Sequence, residues 1–331
     1  DLVRSRGLGD VYKRQEAVDL SRWQIILSAA DFGSNILTTA TIDDITFKKG
    51  DIEKIVAAVE ALTKREELKG RTLRCIAVAS PGKIDKKSGK FILNPRFREI
   101  GNISLQAVFE EAFGCKVVIK NDINLALLGE KMYGGVLKNV QNALMLHVDV
   151  GMGAALLIDG KVYEGSHGFA GEIGYFKLNM LLSDENNYGN LNYGNYYDST
   201  SLFSVLSIVK REISLGTETV LKDWLEASGR SWDDVTIDEL LKAYRLKDAL
   251  VVRAIHSAAR VIGTFASSMS EFLDLDTVIL IGSVTGLGKE YLKYISKYAK
   301  NCPVVFSELG SDATIMGTIN AGILAVFDGL L

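Results

Sequence analysis

Two apolar segments about 130 positions apart end in the same way: Val18-Asp19-Leu20-Ser21 and Val148-Asp149-Val150-Gly151. Each reads as a strand that runs into an aspartate-containing turn, and each is followed by mixed strand and helix patterns. A duplicated strand–turn–strand opening restricts the chain to few architectures, foremost two related α/β lobes. Chance similarity between two apolar strands is the alternative.

The periodicity along the chain fits an α/β reading. Residues 17–42 alternate around a turn at Asp31-Phe32-Gly33, as a hairpin or meander does. Ile52, Ile55, Val56, Val59 and Leu62 have helical spacing within 51–68. A buried strand at 73–79 ends at Ser80-Pro81-Gly82. Helices near 103–113 and 123–133 flank a strand at 116–120. Strands at 143–149 and 153–158 precede a turn at Asp159-Gly160. Residues 183–199, rich in Asn, Gly and Tyr, read as a loop. Helices follow at 201–214, 218–227, 237–245 and about 247–273. The continuous apolar run at 277–282 suits a strand buried on both faces. A helix at 286–300, a short strand at 303–306 and a last helix at 313–328 complete the pattern. With no Pro-rich or Ser-rich linker between lobes, a hinge must lie inside the fold.

At 331 residues the chain is long enough for two cores, and 47% apolar with 24% charged residues is ordinary for a globular protein. A net charge of −3 advertises no basic surface to nucleic acid or anionic lipid. No uninterrupted apolar run reaches the roughly 18 residues of a membrane span, and no signal-peptide pattern opens the chain. Cys75, Cys115 and Cys302 are odd in number and far apart. They fit reduced core thiols of a cytoplasmic protein, not a disulfide frame or a zinc site.

The first fifteen residues are set aside. The chain starts at Asp1, and Asp10-Val11-Tyr12-Lys13-Arg14-Gln15 reads as a translated sequencing-library tag; a natural basic tail is the alternative. On the tag reading the true N-terminus, with any domain it encoded, precedes residue 16.

Asp122, in Lys120-Asn121-Asp122-Ile123-Asn124, stands between a strand and a helix. That place suits a general base for a hydroxyl, and Asn121 and Asn124 offer donors and acceptors to sugar hydroxyls. The same residues would equally cap the helix that begins there. A second candidate site is Gly165-Ser166-His167-Gly168-Phe169-Ala170-Gly171-Glu172-Ile173-Gly174-Tyr175, whose glycines allow close backbone approach around Glu172. His167 lies within this segment, whereas His147 and His256 sit in a strand and a helix, where packing roles are common.

Taken in order, the Asp122 segment, the turn Asp149-Val150-Gly151-Met152-Gly153 and the glycine segment resemble the ROK family of sugar kinases and sugar-responsive repressors. The resemblance covers about residues 16–331. It implies an α/β, actin-like (ribonuclease H-like) two-lobed sugar kinase fold, with an N-terminal lobe at 16–133, a C-terminal lobe at 134–311 and a final helix at 312–331 returning to the first lobe. The sugar cleft would lie between the lobes. It also implies a homodimer, a catalytic base at Asp122 in kinases, and sugar contacts at Asn94, Asn121, Asp122, Glu172 and Tyr175. Asn94 precedes Pro95, so a plain loop role is equally open. Tyr175 stands where the family usually has a His that binds sugar and metal.

Two departures bear on function. The family's zinc module follows that His, yet residues 176–200 hold no Cys or His, so zinc is not expected. Glu185 or Asp198 could replace the sugar-binding Glu of that module. The phosphate loops are also altered. Asp19-Leu20-Ser21-Arg22-Trp23 stands in place of Asp-x-Gly-Gly-Thr, where a side chain would block the approach of phosphate. In the second loop Asp149, Gly151 and Gly153 match Gly-Thr-Gly-x-Gly in part, with Asp149 set where polyphosphate would lie. Like charges a few ångströms apart cost on the order of 1–4 kcal/mol without a metal. Gly282, before Ser283, matches part of the family's adenosine-side Gly-Gly.

The resemblance therefore implies the sugar-binding effector domain of a transcriptional regulator of carbohydrate metabolism. No cofactor is expected, no membrane partner, and DNA only through a domain preceding residue 16. The alternative is a glucokinase-like ATP-dependent kinase acting on a hexose or amino sugar, with Mg-ATP bound by Asp19, Asp149, Gly151, Gly153 and Gly282. A degenerate paralogue with weak binding is a third reading.

Overall fold

The computed structural model describes residues 13–20, 24–43, 45–48, 50–84, 90–93, 99, 103–175 and 200–328. The chain divides into two compact units. One comprises the chain to Asn139 with Glu164–Ala170 and Ser311–Leu331; the other comprises Val140–Tyr163 and Gly171–Gly310.

The first unit is built on a five-stranded sheet of order β3-β2-β1-β4-β7. Its strands are β1 (Lys13–Asp19), β2 (Ile25–Asp31), β3 (Ile36–Ile42), β4 (Thr72–Ser80) and β7 (Lys116–Asn121). A short hairpin of β5 (Lys83–Ile84) and β6 (Phe91–Leu93) stands apart from that sheet. β1, β2 and β3 run antiparallel, whereas β4 and β7 join β1 in parallel. Alternation along β1 sends Val18 to one face and Ala17 to the other. On the Val18 face, Leu27, Ile76 and Val78 pack with Ile55, Val59 and Leu62 of α1 (Asp51–Thr63) and Phe109 of α2 (Leu105–Phe113).

The opposite face is lined by small residues, Ala17, Ala30 and Ala79. It takes Ile315, Ile319 and Ile323 of α9 (Ala313–Asp328) and Leu125 of α3 (Asp122–Tyr133). Helices α3 and α9 cross backbone to backbone: a Cβ on Gly317 would overlap the Leu125 carbonyl oxygen, and one on Gly129 would overlap that of Ala313. β1 begins at Lys13, inside the segment set aside from the sequence. Gln15 Nε2 donates to the Ile319 carbonyl at 2.5 Å, and the Arg14 guanidinium donates to Leu68 and Thr63 carbonyls at 3.2 Å each.

The second unit repeats the plan. Its sheet has the order β10-β9-β8-β11-β12, again three antiparallel strands followed by two in parallel. The strands are β8 (Ala143–Val148), β9 (Met152–Ile158), β10 (Lys161–Tyr163), β11 (Thr277–Ile281) and β12 (Val304–Phe306). β8 thus occupies the place of β1, and Val148-Asp149 that of Val18-Asp19. The weak repeat in the sequence is a structural duplication.

One face of this sheet packs Leu144, Leu146, Val278 and Leu280 against helices α4 (Leu202–Ser214), α5 (Val220–Ser228), α6 (Ile237–Arg245), α7 (Ala249–Leu273) and α8 (Gly288–Ser296). Asp248 joins two of these helices: Oδ1 caps Val251, while Oδ2 accepts from Thr219 Oγ1 and the Val220 N–H. Among the described residues α7 is the one helix long and apolar enough to cross a membrane, and 61% of its most apolar window is buried within the protein. The helix expected at 286–300 is shorter and is preceded by a 3₁₀ turn, Ser283–Leu287. The Asn/Tyr/Gly loop expected at 183–199 lies outside the described residues.

Candidate functional site

In the first unit, β7 delivers Asn121 and Asp122 to the start of α3. Asn121 is the N-cap: Oδ1 accepts from the N–H groups of Ile123 and Asn124, at 3.0 Å each. Its Nδ2 donates to the Gly82 carbonyl at 3.3 Å. The cap that the sequence left between Asn121 and Asp122 is therefore Asn121. Asp122 is the first helical residue, half-buried, with Oδ1 accepting from Ile123 N–H at 2.9 Å. Asn124 is buried, at 7% exposure, and its Oδ1 meets no hydrogen-bond donor among the described residues. Asn94 lies outside the described residues.

Glu164–Ala170 groups with this first unit. Lys120 Nζ, one residue before Asn121, lies 2.6 Å from Glu164 Oε1. Lys83 Nζ sits 4.6 Å from the centroid of the Phe169 ring. Within the segment, Ala170 N–H reaches the Glu164 carbonyl at 3.3 Å. His167 is exposed, its ring centroid 6.5 Å from that of Phe169.

Gly171 belongs to the second unit. Its carbonyl accepts from Ala154 N–H of β9 at 3.0 Å, and its φ of 87° suits glycine. A Cβ there would overlap the Ala154 carbonyl oxygen, so this glycine is required by a close backbone approach. Glu172 follows, half-buried, and the chain then turns through a 3₁₀ helix, Ile173–Tyr175, whose Ile173 packs on the core. The backbone of Tyr175 belongs to this turn; its side chain lies outside the described residues.

Of the two loops matched to phosphate loops, the first is described only in part. Asp19 ends β1 at 1% exposure, and Leu20 N–H donates to the Ala79 carbonyl; residues 21–23 are not among the described ones. The second loop is complete. Asp149 Oδ1 accepts from Val150 N–H at 2.7 Å, and Oδ2 accepts from Ser283 N–H at 3.0 Å and Ser283 Oγ at 2.7 Å. A Cβ on the intervening Gly282 would come within 2.6 Å of the Val148 carbonyl oxygen. Gly153 sits in β9 opposite His147, and Gly151 has open space around its Cα. The carboxylate thus takes donors from its own loop and from the exit of β11, a partnership that local sequence could not disclose.

Among the described residues no group of three or more His, Cys, Asp or Glu side chains gathers as metal ligands would. The sequence at 176–200 offers no Cys or His, so this chain's donors do not fit the family's zinc module. Burial pushes the Cys75 thiol up to about 12 and that of Cys115 to about 11, which disfavours the thiolate form of each. His256 is a packing residue, stacked on Tyr294 at 3.7 Å between centroids.

A family model described as "ROK family" matches residues 17–321. The chain belongs to the ROK family. The xylose repressor of Caldicellulosiruptor bescii is 26% identical over 270 residues, covering 79% of this chain and 65% of the repressor. The DNA-binding transcriptional dual regulator NagC of Escherichia coli is 25% identical over 270 residues, covering 79% of this chain and 63% of NagC. The chain thus spans about two thirds of the length of these relatives. Among solved structures, a ROK family transcriptional regulator described as a homologue of the E. coli MLC protein superposes with a TM-score of 0.80. It is 20% identical, with 99% of this chain and 83% of that one covered. The ROK hexokinase of Thermus thermophilus superposes with a TM-score of 0.72 at 23% identity, covering 96% and 100% of the two chains. The duplicated sheets are those of the actin-like fold shared by ROK kinases and regulators.

Proposed function

We propose that this chain is the sugar-binding effector part of a ROK-type transcriptional regulator of carbohydrate metabolism, and that it binds its sugar without phosphorylating it. The observation that carries this reading is Asp149. Its carboxylate takes the Val150 and Ser283 N–H groups and the Ser283 hydroxyl, a donor set that nucleotide phosphate would otherwise compete for. A fixed negative charge there opposes a polyphosphate. The curated relatives add weight, since they include a xylose repressor and an N-acetylglucosamine repressor. Xylose and N-acetylglucosamine are accordingly the first sugars to try.

On this reading Asp122 and Glu172 accept hydrogen bonds from sugar hydroxyls. The buried Oδ1 of Asn124, two residues from Asp122, offers a further acceptor. Tyr175 and Asn94 are carried over from the family pattern alone. Sugar binding would shift a conformational equilibrium that a DNA-binding domain elsewhere in the whole protein reads out. Self-association as a homodimer is part of the same proposal.

The test is thermal unfolding with D-xylose, N-acetyl-D-glucosamine and D-glucose, each with and without Mg-ATP. A ligand at about 100 times its Kd stabilises by roughly 2.7 kcal/mol, enough to move the midpoint by a few degrees. A shift with one sugar and none with Mg-ATP is expected. A Mg-ATP shift that grows with sugar, together with ADP formation dependent on Asp122, would establish the second reading, an ATP-dependent sugar kinase with Asp122 as base. The intact Asn121-Asp122-Ile123-Asn124 motif at the start of α3 favours that alternative.

A further inference from the structure

The glycine segment Glu164–Ala170 groups with the first unit although the residues on either side of it belong to the second. Little inside the segment explains its position. Its internal backbone bonds are long, at 3.3 Å from Ala170 N–H to the Glu164 carbonyl and 3.4 Å from Gly168 N–H to the Gly165 carbonyl. Gly165 and Gly168 both adopt positive φ, so the segment has few intrinsic restraints.

Two external restraints come from one support. Lys120 lies on β7, and its ion pair with Glu164 at 2.6 Å is partly buried, the side chains being 40% and 26% exposed. Lys83 lies on β5 and covers the Phe169 ring at 4.6 Å. The two lysines are tied together. β4 and β7 pair Ala79 with Lys120 and Ser80 with Asn121, and Asn121 Nδ2 holds the Gly82 carbonyl, one residue before Lys83. One lysine grips the first residue of the segment and the other its penultimate residue.

We propose that Lys120 and Lys83 are positioning residues for sugar binding. They hold Glu164–Ala170 on the strand ends that carry Asn121 and Asp122, and so set the course of the chain into Glu172, two residues on. Neither lysine needs to touch the sugar. The inference rests on the sugar-binding reading above. It makes sugar affinity depend on the Lys120–Glu164 charge pair and weaken with salt, because a pair this exposed is screened.

The experiment is calorimetric titration of D-xylose, N-acetyl-D-glucosamine and D-glucose into the full chain and its K120M, E164Q, K83M and K120E/E164K variants. K120M and E164Q should each weaken binding of the sugar that wild type takes by about two- to five-fold, the upper part of the range for a solvent-accessible pair. The double variant K120M/E164Q should lose no more than either single one, and the charge swap K120E/E164K should recover most of the loss. Hydrogen exchange should quicken at residues 165–170 in K120M while that of β7 stays as in wild type, which separates a loosened segment from a misfolded protein. Single variants that bind as wild type does, or losses that add, would overturn the positioning role alone. A wild-type chain that binds none of the three sugars would overturn the sugar-binding reading and this inference with it.

Discussion

Asp149 and Ser283 lie 134 positions apart in the chain, yet Oδ2 of the aspartate accepts both the N–H and the hydroxyl of the serine, at 3.0 and 2.7 Å. The pair joins the exits of β8 and β11, parallel neighbours whose register matches His147 with Ile281. Charge-assisted bonds of this kind are stronger than neutral ones, and losing the acceptor strands the N–H donors of Val150 and Ser283. Asp149→Ala should therefore cost about 2 kcal/mol, and Asp149→Asn, which keeps one acceptor, about 1 kcal/mol. Urea unfolding of the three proteins checks this. Losses below about 0.5 kcal/mol in both variants would show that the carboxylate does not brace the loop.

Glu16 is an acid in an apolar place. It is fully buried on β1, neither carboxylate oxygen has a hydrogen-bond partner among the described residues, and the Arg14 guanidinium stands 3.8 Å away. Burial raises its pKa from 4.5 to about 7, with Arg14 opposing. The folded state therefore holds a proton that the unfolded state has released between pH 4.5 and about 7. Stability from the neutral form is fully present below the unfolded value and lost as pH rises through the folded one. The swing is about 3 kcal/mol. Unfolding free energies measured from pH 5 to 8 should fall with pH, and Glu16→Gln should flatten the slope. An unchanged slope in that variant would remove Glu16 as its source.

Gly317 tests how α9 is seated. A Cβ at this position would run into the Leu125 carbonyl of α3, which is backbone and cannot swing aside. Overpacking of this kind costs about 1–3 kcal/mol. Gly317→Ala should lower the thermal midpoint by several degrees. Gly50→Ala, with nothing within 4 Å of the added carbon, serves as the control. Equal midpoints for the two variants would mean that α9 does not approach α3 so closely.

Most of the fold was legible because its signals are local. Alternation in 17–42, helical spacing from Ile52 to Leu62 and the apolar run at 277–282 each report on a few neighbouring residues, and each became the expected element. The duplication showed through one dipeptide, Val18-Asp19 against Val148-Asp149, since the same topology places both at equivalent strand ends. The site was harder. Glu164 belongs with Lys120, Lys83 with Phe169 and Asp149 with Ser283, and no local pattern pairs residues that tertiary structure alone brings together. The charge of Asp149 is plain from the sequence, whereas its partnership with Ser283, a residue of the neighbouring strand exit, is not. At Asn121-Asp122 the difficulty was different: capping and ligand binding call for the same residue types at the same place.

The structure separates those two roles, and mutation can test the separation. Asn121 spends its Oδ1 on two backbone N–H groups, so Asn121→Ala should destabilise the protein by about 1 kcal/mol, the usual cost of a lost N-cap. Asp122 Oδ1 accepts from the N–H of the adjacent Ile123, a donor that Asn121 also takes, and the residue stands at the helix start. Asp122→Asn retains an acceptor there and should change stability by less than about 1 kcal/mol, the scale of a charge on the helix dipole. On the sugar-binding reading, that same change should remove most of the sugar-induced thermal shift. Chemical unfolding of the two variants, followed by thermal scans with D-xylose and N-acetyl-D-glucosamine, distinguishes cap from ligand. A stability loss confined to Asp122→Asn, with Asn121→Ala unaffected, would reverse the assignment.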